Sequence, residues 1–197
     1  MTFEVRPVTA GRWPELEAFF GPSGAYSNCW CAWWRVSSPE FKEGCAERGA
    51  GNRALLERLT REGAEPGLLA YEAGKPVGWV ALAPRPQYPR LLRSPNLRPA
   101  PETDDPADAR IWSLTCFWIP RAQRGRGVAT ALLAAALTHA REHGATALEA
   151  YPVDTGDERG APASLYTGTV GMFERAGFHE VLRRRAKRPV VRFDFGG

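Results

Sequence analysis

Residues 124–129 read Arg124-Gly125-Arg126-Gly127-Val128-Ala129, between a β-branched and aromatic run ending at Ile119 and an apolar-striped run starting at Val128. The glycines lack a Cβ, so they tolerate positive φ and let an anion approach the backbone N–H groups. The free N–H groups of a first helical turn and the helix dipole favour phosphate at such a junction. Arg124 and Arg126 can add charge-assisted bonds. Spacing narrows the ligand further. Thr130 stands where a dinucleotide fingerprint carries its third glycine, and no Gly-Lys-Ser/Thr closes the loop as in a triphosphate-binding P-loop, so both of those readings are disfavoured.

Such a loop has to be held by a strand before it and a helix after it. Residues 111–119, dense in β-branched and aromatic types and bounded by Pro120, read as a buried central strand. Val128, Leu132, Leu133, Ala136, Leu137 and Ala140 fall on one half of a helical surface, with Gly144 as a stop signal. Residues 147–153 read as another strand and 168–176 as a short helix closed by Gly177. Upstream, Phe3, Val5 and Val8 suggest a first strand, 11–20 a helix, and 39–61 a helical stretch that Gly49-Ala50-Gly51 can split. Residues 67–71 and 77–82 form a hairpin around Glu72-Ala73-Gly74-Lys75-Pro76. The proline-rich stretch 84–107 reads as neither strand interior nor helix, and the expectation is a long loop, out to about residue 110, over one face. Residues 181–183 and 190–195 close the chain as a hairpin around the basic turn 184–188, which reads as a solvated tip. This order predicts an α/β domain with one right-handed, parallel strand–helix–strand crossover over 111–153 and a ligand where those strands diverge.

Composition sets the outer limits. A chain of 197 residues, 44% hydrophobic and 24% charged, suits one globular domain over 1–197 with a sizeable core. A net charge of +4 favours anionic ligands but falls short of a nucleic-acid footprint, so no nucleic acid partner is expected. The longest mostly apolar stretch, 128–137, is half of the roughly 20 residues a membrane helix needs, and the first residues are not a secretory leader. A cytoplasmic protein with no membrane partner is expected, its four cysteines held as thiols. Cys29-Trp30-Cys31 lacks zinc-knuckle spacing, and His139 and His143 lie side by side on one helix with no third ligand apparent in the sequence. No metal is expected.

The loop at 124–129 resembles the Gln/Arg-x-x-Gly-x-Gly/Ala loop of the GNAT (Gcn5-related N-acetyltransferase) superfamily. Val77-Gly78-Trp79-Val80, Cys116-Phe117-Trp118-Ile119 and Phe173-Glu174-Arg175-Ala176-Gly177-Phe178 follow the family in the same order, so the resemblance spans about 67–195. It implies the acyl-CoA N-acyltransferase fold: a mixed, mostly antiparallel sheet with a central splayed parallel strand pair, flanked by helices. It also implies acetyl-CoA as cosubstrate. The pyrophosphate would lie on Arg124, Gly125, Arg126, Gly127, Val128, Ala129 and Thr130, the pantetheine arm would pair with Phe117, Trp118 and Ile119, and Phe173 would lie beside the cofactor.

The implied reaction is transfer of acetyl to the amine of a small molecule, by direct attack in a ternary complex, in a monomer or homodimer. The family often uses a tyrosine as proton donor, and Phe173 occupies that position here. Tyr166 and Tyr151 are the substitute candidates, with Glu149 as base candidate; each also reads as an ordinary satisfied side chain. Cys116 reads as a core thiol rather than an acyl carrier. Tyr26, Trp30, Trp33 and Trp34 read either as core or as the wall of an acceptor pocket for a flat, apolar or cationic molecule. Two alternatives stand beside this reading: an acyl-CoA-binding or sensing module with weak or no catalysis, and a protein or peptide acetyltransferase that docks its partner on the proline-rich stretch.

Overall fold

The computed structural model describes residues 2–99, 105–156 and 162–196. Its strands are β1 (Glu4–Pro7), β2 (Gly67–Glu72), β3 (Lys75–Pro84), β4 (Ile111–Trp118), β5 (Ala147–Ala150), β6 (His179–Leu182) and β7 (Val190–Asp194). They form one sheet in the order β1-β2-β3-β4-β5-β7-β6, in which β4 and β5 run parallel and every other pair antiparallel. The helices are α1 (Trp13–Phe20), α2 (Ser38–Gly44), α3 (Ala46–Arg61), α4 (Pro89–Arg93), α5 (Val128–Glu142) and α6 (Val170–Glu174). This is the mixed sheet with a central parallel pair that the sequence predicts.

Period-two alternation gives the sheet two apolar faces. On one face α5 lays Val128, Leu132, Leu133 and Ala136 against Val80, Leu82, Leu114 and Leu148. On the other, α1 and α3 cover Leu69, Tyr71, Trp79 and Ala81 with Trp13, Leu16, Phe20 and Leu56. The helix approaches β3 so closely that a Cβ on Gly78 would sit 2.5 Å from Val128 Cγ1. Glycine at 78 therefore sets how near the start of α5, and with it the loop at 124–129, lies to the sheet.

The alternation breaks once where it matters. Ala81 pairs with Cys116 but Leu82 pairs with Leu114, so Thr115 is an extra residue in β4, a bulge. Trp112 and Leu114 pack under α5, whereas Cys116 and Trp118, of the same parity, pack on the opposite face.

Three expectations are corrected. The helical stretch 39–61 is divided at Cys45 between α2 and α3 and kinks inside α3 at Glu47, Arg48 and Gly49, all with positive φ, so the expected break at 49–51 begins earlier and shares only Gly49 with it. The strand expected over 147–153 ends at Ala150. The proline-rich stretch is not a plain loop: β3 runs on to Pro84, a 3-10 turn covers Arg85–Gln87, and α4 follows. Pro89 opens α4, where the missing N–H costs no helical bond. Arg85, Tyr88 and Leu91 are buried, so the segment is anchored by its own side chains. Residues 100–104 of that stretch lie outside the described residues.

Candidate functional site

β4 and β5 part company beyond their fourth pair. Ile111 to Leu114 pair with residues of β5, and no β5 residue pairs with 115–118, although β3 pairs with β4 as far as Trp118. The β5-facing edge of β4 there can take a ligand that hydrogen-bonds like a strand. Beyond it the chain turns through Arg121–Gln123 into the glycine loop. Gly125 has φ 74° and Gly127 φ 87°, and a Cβ on either would meet nothing within 4 Å, so the glycines serve backbone shape and leave open space above it. Gly127 caps α5, and the N–H groups of the first turn of that helix face outward unblocked by a capping side chain.

The two arginines of the loop differ. Arg126 clasps Glu72 at the end of β2, Nη2 to Oε1 at 2.7 Å and Nη1 to Oε2 at 3.0 Å, and also reaches Gln123. It braces the loop against the β2–β3 hairpin. Arg124 donates Nε to the carbonyl of Ile119 at 3.0 Å and lines the large cavity next to the loop. Thr130 is exposed, while Val128 and Phe173 are buried in the core between sheet and helices.

That cavity has a volume of about 880 Å³. One wall is Phe117, Trp118, Ile119 and Ala129, expected to meet a cofactor; another is Tyr26, Trp33 and Trp34, expected to meet an acceptor. Phe41 packs edge-on against Trp33 at 5.0 Å, and Arg90 lies 3.7 Å over the Trp33 ring from outside. Trp30 is elsewhere: it is 3% exposed and stacked on Trp13, part of the core beneath the wall. The wall rides on a strained segment, with positive φ at Ala25, Ser27, Asn28, Trp30 and Cys31. Left-handed backbone costs roughly 1 kcal/mol or more per non-glycine residue, and it persists where packing over-determines it, as burial of Trp30 does here.

The sequence profile of the Acetyltransferase (GNAT) family matches residues 29–178, which takes in Trp33 and Trp34 of the aromatic wall, the splayed strands and the glycine loop. The chain belongs to the GNAT acetyltransferase family. Among solved structures it is similar to the PaiA N-acetyltransferase of Thermoplasma acidophilum in complex with coenzyme A, with 13% identity and a TM-score of 0.54 over 99% of this chain and 100% of that one. It is similar to the GNAT domain of S. lividans PAT, with 20% identity and a TM-score of 0.55 over 99% and 92%. A GCN5-related N-acetyltransferase from Kribbella flavida gives 20% identity and a TM-score of 0.54 over 98% of each chain. Identities this low speak for the fold alone. No curated protein sequence matches.

Within this GNAT chain the three residues raised as catalytic candidates separate. Tyr166 lines the cavity, and burial pushes its phenol up to about 12. Tyr151 and Glu149 do not line it; they belong to a buried polar cluster beside it. Glu149 accepts from Arg192 at 2.6 Å and from Arg85 at 3.3 Å through Oε1, and from the Tyr151 hydroxyl at 3.1 Å through Oε2. A carboxylate only accepts, so Tyr151 spends its proton on Glu149, and Ser113 must donate to the Tyr151 oxygen, 2.7 Å away. Burial and then the charge of Glu149 push the Tyr151 phenol well up. Phe173 is fully buried between Phe117 and Phe178, a packing residue with no proton to give.

Sequence reasoning missed Phe41, Met172 and Cys29 as cavity residues. Only the fold of 24–41 over the sheet brings Phe41 there. The thiols also gather: Cys31 accepts from Trp79 Nε1 at 3.2 Å and Cys116 hydrogen-bonds to Cys31, which with burial pushes the Cys116 thiol well up. Burial pushes Cys29 up to about 12. Cys116 and Cys29, held protonated in this way, are poor nucleophiles, whereas its hydrogen bonds push the Cys31 thiol down. Among the described residues, the lining contains no carboxylate and no histidine.

No helix among the described residues is long and apolar enough to cross a membrane.

Proposed function

We propose that this GNAT protein transfers acetyl from acetyl-CoA to the amine of a small molecule with a flat, apolar body, by direct attack in a ternary complex. One observation carries the reading: a single cavity joins the free edge of β4 and Arg124 to the aromatic wall of Tyr26, Trp33 and Trp34. The bound coenzyme A of the Thermoplasma relative supports the choice of cofactor. Acetyl-CoA would lie with its pyrophosphate on the open N–H groups at 125–129 and its pantetheine amides on the strand edge at 117–119. An aromatic wall with no lining carboxylate suits a neutral planar acceptor better than a polycation.

In the reaction the amine nitrogen attacks the thioester carbonyl, an oxyanion forms, and the carbon–sulfur bond breaks to release a thiolate. With no base in the described lining, the amine enters uncharged and gives its proton to water. Tyr166, with its phenol near 12, stays protonated and can hold a hydrogen bond on the departing sulfur. Outright proton transfer to a thiolate whose acid titrates near about 8.5 is uphill, so its role is charge stabilisation. The raised thiol of Cys116 argues for direct attack over an acyl-cysteine intermediate.

The test is calorimetry with acetyl-CoA followed by thiol release across aromatic amines, arylalkylamines and polyamines. Turnover concentrated on the aromatic set supports the proposal; no affinity for acetyl-CoA sinks it. A second reading, acyl-CoA binding with little or no turnover, draws on Phe173, and cofactor binding without thiol release on any amine would select it. A third reading, a protein or peptide acetyltransferase, would be selected by mass-spectrometric detection of proteins acetylated in its presence.

A further inference from the structure

At the end of α5 away from the glycine loop, three potential metal ligands from distant parts of the chain converge. His139 Nε2 lies 3.7 Å and His143 Nε2 3.6 Å from Glu65 Oε2, and the three atoms lie within 4.8 Å of one another. These distances are too long for hydrogen bonds. They are close to the edges of a zinc tetrahedron, about 3.3–3.5 Å for bonds of about 2.0–2.1 Å.

Each imidazole is held with Nε2 toward the same point. His143 Nδ1 lies 2.8 Å from the carbonyl of His139, which can only accept, so the proton sits on Nδ1 and the Nε2 lone pair is free. His139 is 6% exposed, packed edge-on against Trp112 at 5.7 Å, and its Nε2 is buried without a hydrogen-bond partner. A buried ring nitrogen aimed at a carboxylate it does not bond needs an explanation. A cation supplies one. The C-terminal end of α5, which His143 caps, carries the negative pole of the helix dipole and adds to the attraction. His143 is 45% exposed, which gives an ion a path in from solvent.

We propose that Glu65, His139 and His143 form a binding site for a divalent transition metal, zinc by ligand type, with solvent completing the shell. Two imidazoles and one carboxylate match zinc and its neighbours in the divalent series rather than magnesium or calcium. The site ties the C-terminal end of α5 to the residues leading into β2. It lies eleven residues beyond Val128, roughly 16 Å along the helix from the phosphate loop at about 1.5 Å per residue, so it is structural with respect to acyl transfer.

The experiment is titration of the metal-free full chain with zinc chloride, and separately with cobalt(II), followed by calorimetry, thermal unfolding and visible spectroscopy. The expected result is one equivalent of zinc bound at micromolar affinity or tighter, a raised Tm, and cobalt d–d bands without thiolate charge-transfer absorption. His143→Ala and Glu65→Gln, both at partly open positions, are expected to weaken zinc binding by about 100-fold or more while leaving acetyl-CoA affinity unchanged. No binding below millimolar zinc, unchanged affinity in both variants, or thiolate bands that move the metal to Cys29, Cys31 and Cys116 would each overturn the proposal.

Discussion

Two regions beside the divergence of β4 and β5 differ in character. One is the cluster of Glu149, Arg85, Arg192, Tyr151 and Ser113, largely buried, charged and hydrogen-bonded. The other is the cavity, apolar and aromatic, lined by Tyr166 and with no lining carboxylate among the described residues. In the sequence the two regions stand side by side as candidates, Tyr166 and Tyr151 as proton donors and Glu149 as base. The groups of the polar cluster are committed to one another, and groups so satisfied fix structure. The cavity groups have bonding capacity left over, which is what a reacting centre requires.

Removing Glu149 tests this contrast most severely. Glu149→Ala removes the buried carboxylate that Arg85, 1% exposed, and Arg192 share, and the expected loss is about 3–5 kcal/mol in denaturant unfolding. A loss below about 1 kcal/mol would mean that the cluster is not the structural half of the pair.

Next in size is Gly127→Val. A β-branched residue at φ 87° distorts the cap of α5, and acetyl-CoA affinity by calorimetry is expected to fall about 10–100-fold, with a loss of about 1–2 kcal/mol in stability.

The two tyrosines then give the sharpest comparison. Tyr166→Phe is expected to lower kcat about tenfold with the unfolding midpoint unchanged. Tyr151→Phe is expected to leave kcat unchanged and cost about 1–2 kcal/mol of stability, because Glu149 and Ser113 lose a buried partner. The reverse pattern would move the reacting centre to the polar cluster.

The smallest effect concerns pH. A donor must be protonated to act, and burial raises the Tyr166 phenol to about 12, so the kcat plateau should continue through about pH 10, where an ordinary phenol is half ionised. A fall centred near pH 10 in a pH–rate profile would show that Tyr166 is not held as this packing implies.

The sequence was informative wherever neighbours in the chain are neighbours in space. The glycine loop, the strand before it and the helix after it are consecutive, and φ freedom, dipole and apolar stripe are properties of that one stretch. The hairpin of β2 and β3 was legible for the same reason. The proline-rich stretch misled because proline forbids helix interiors but not helix starts, and Pro89 sits at a start. Of the aromatic cluster, the sequence could not separate Trp30, under the wall, from Tyr26, Trp33 and Trp34 in it, since no regular period governs a strained turn.

The chain by itself determined the glycine loop and the α/β order, because both follow from local backbone geometry and short-period patterning. The tertiary structure decided everything that depends on register between distant segments. The extra residue at Thr115 turns Cys116 and Trp118 to the face opposite α5. Packing leaves Tyr166 at the cavity and seals Tyr151 away from it. Glu65, from the residues leading into β2, comes within 4 Å of both His139 and His143, a meeting that helical spacing alone could not supply. A one-residue shift reverses the face a strand side chain occupies, and no local pattern specifies where such a shift will fall.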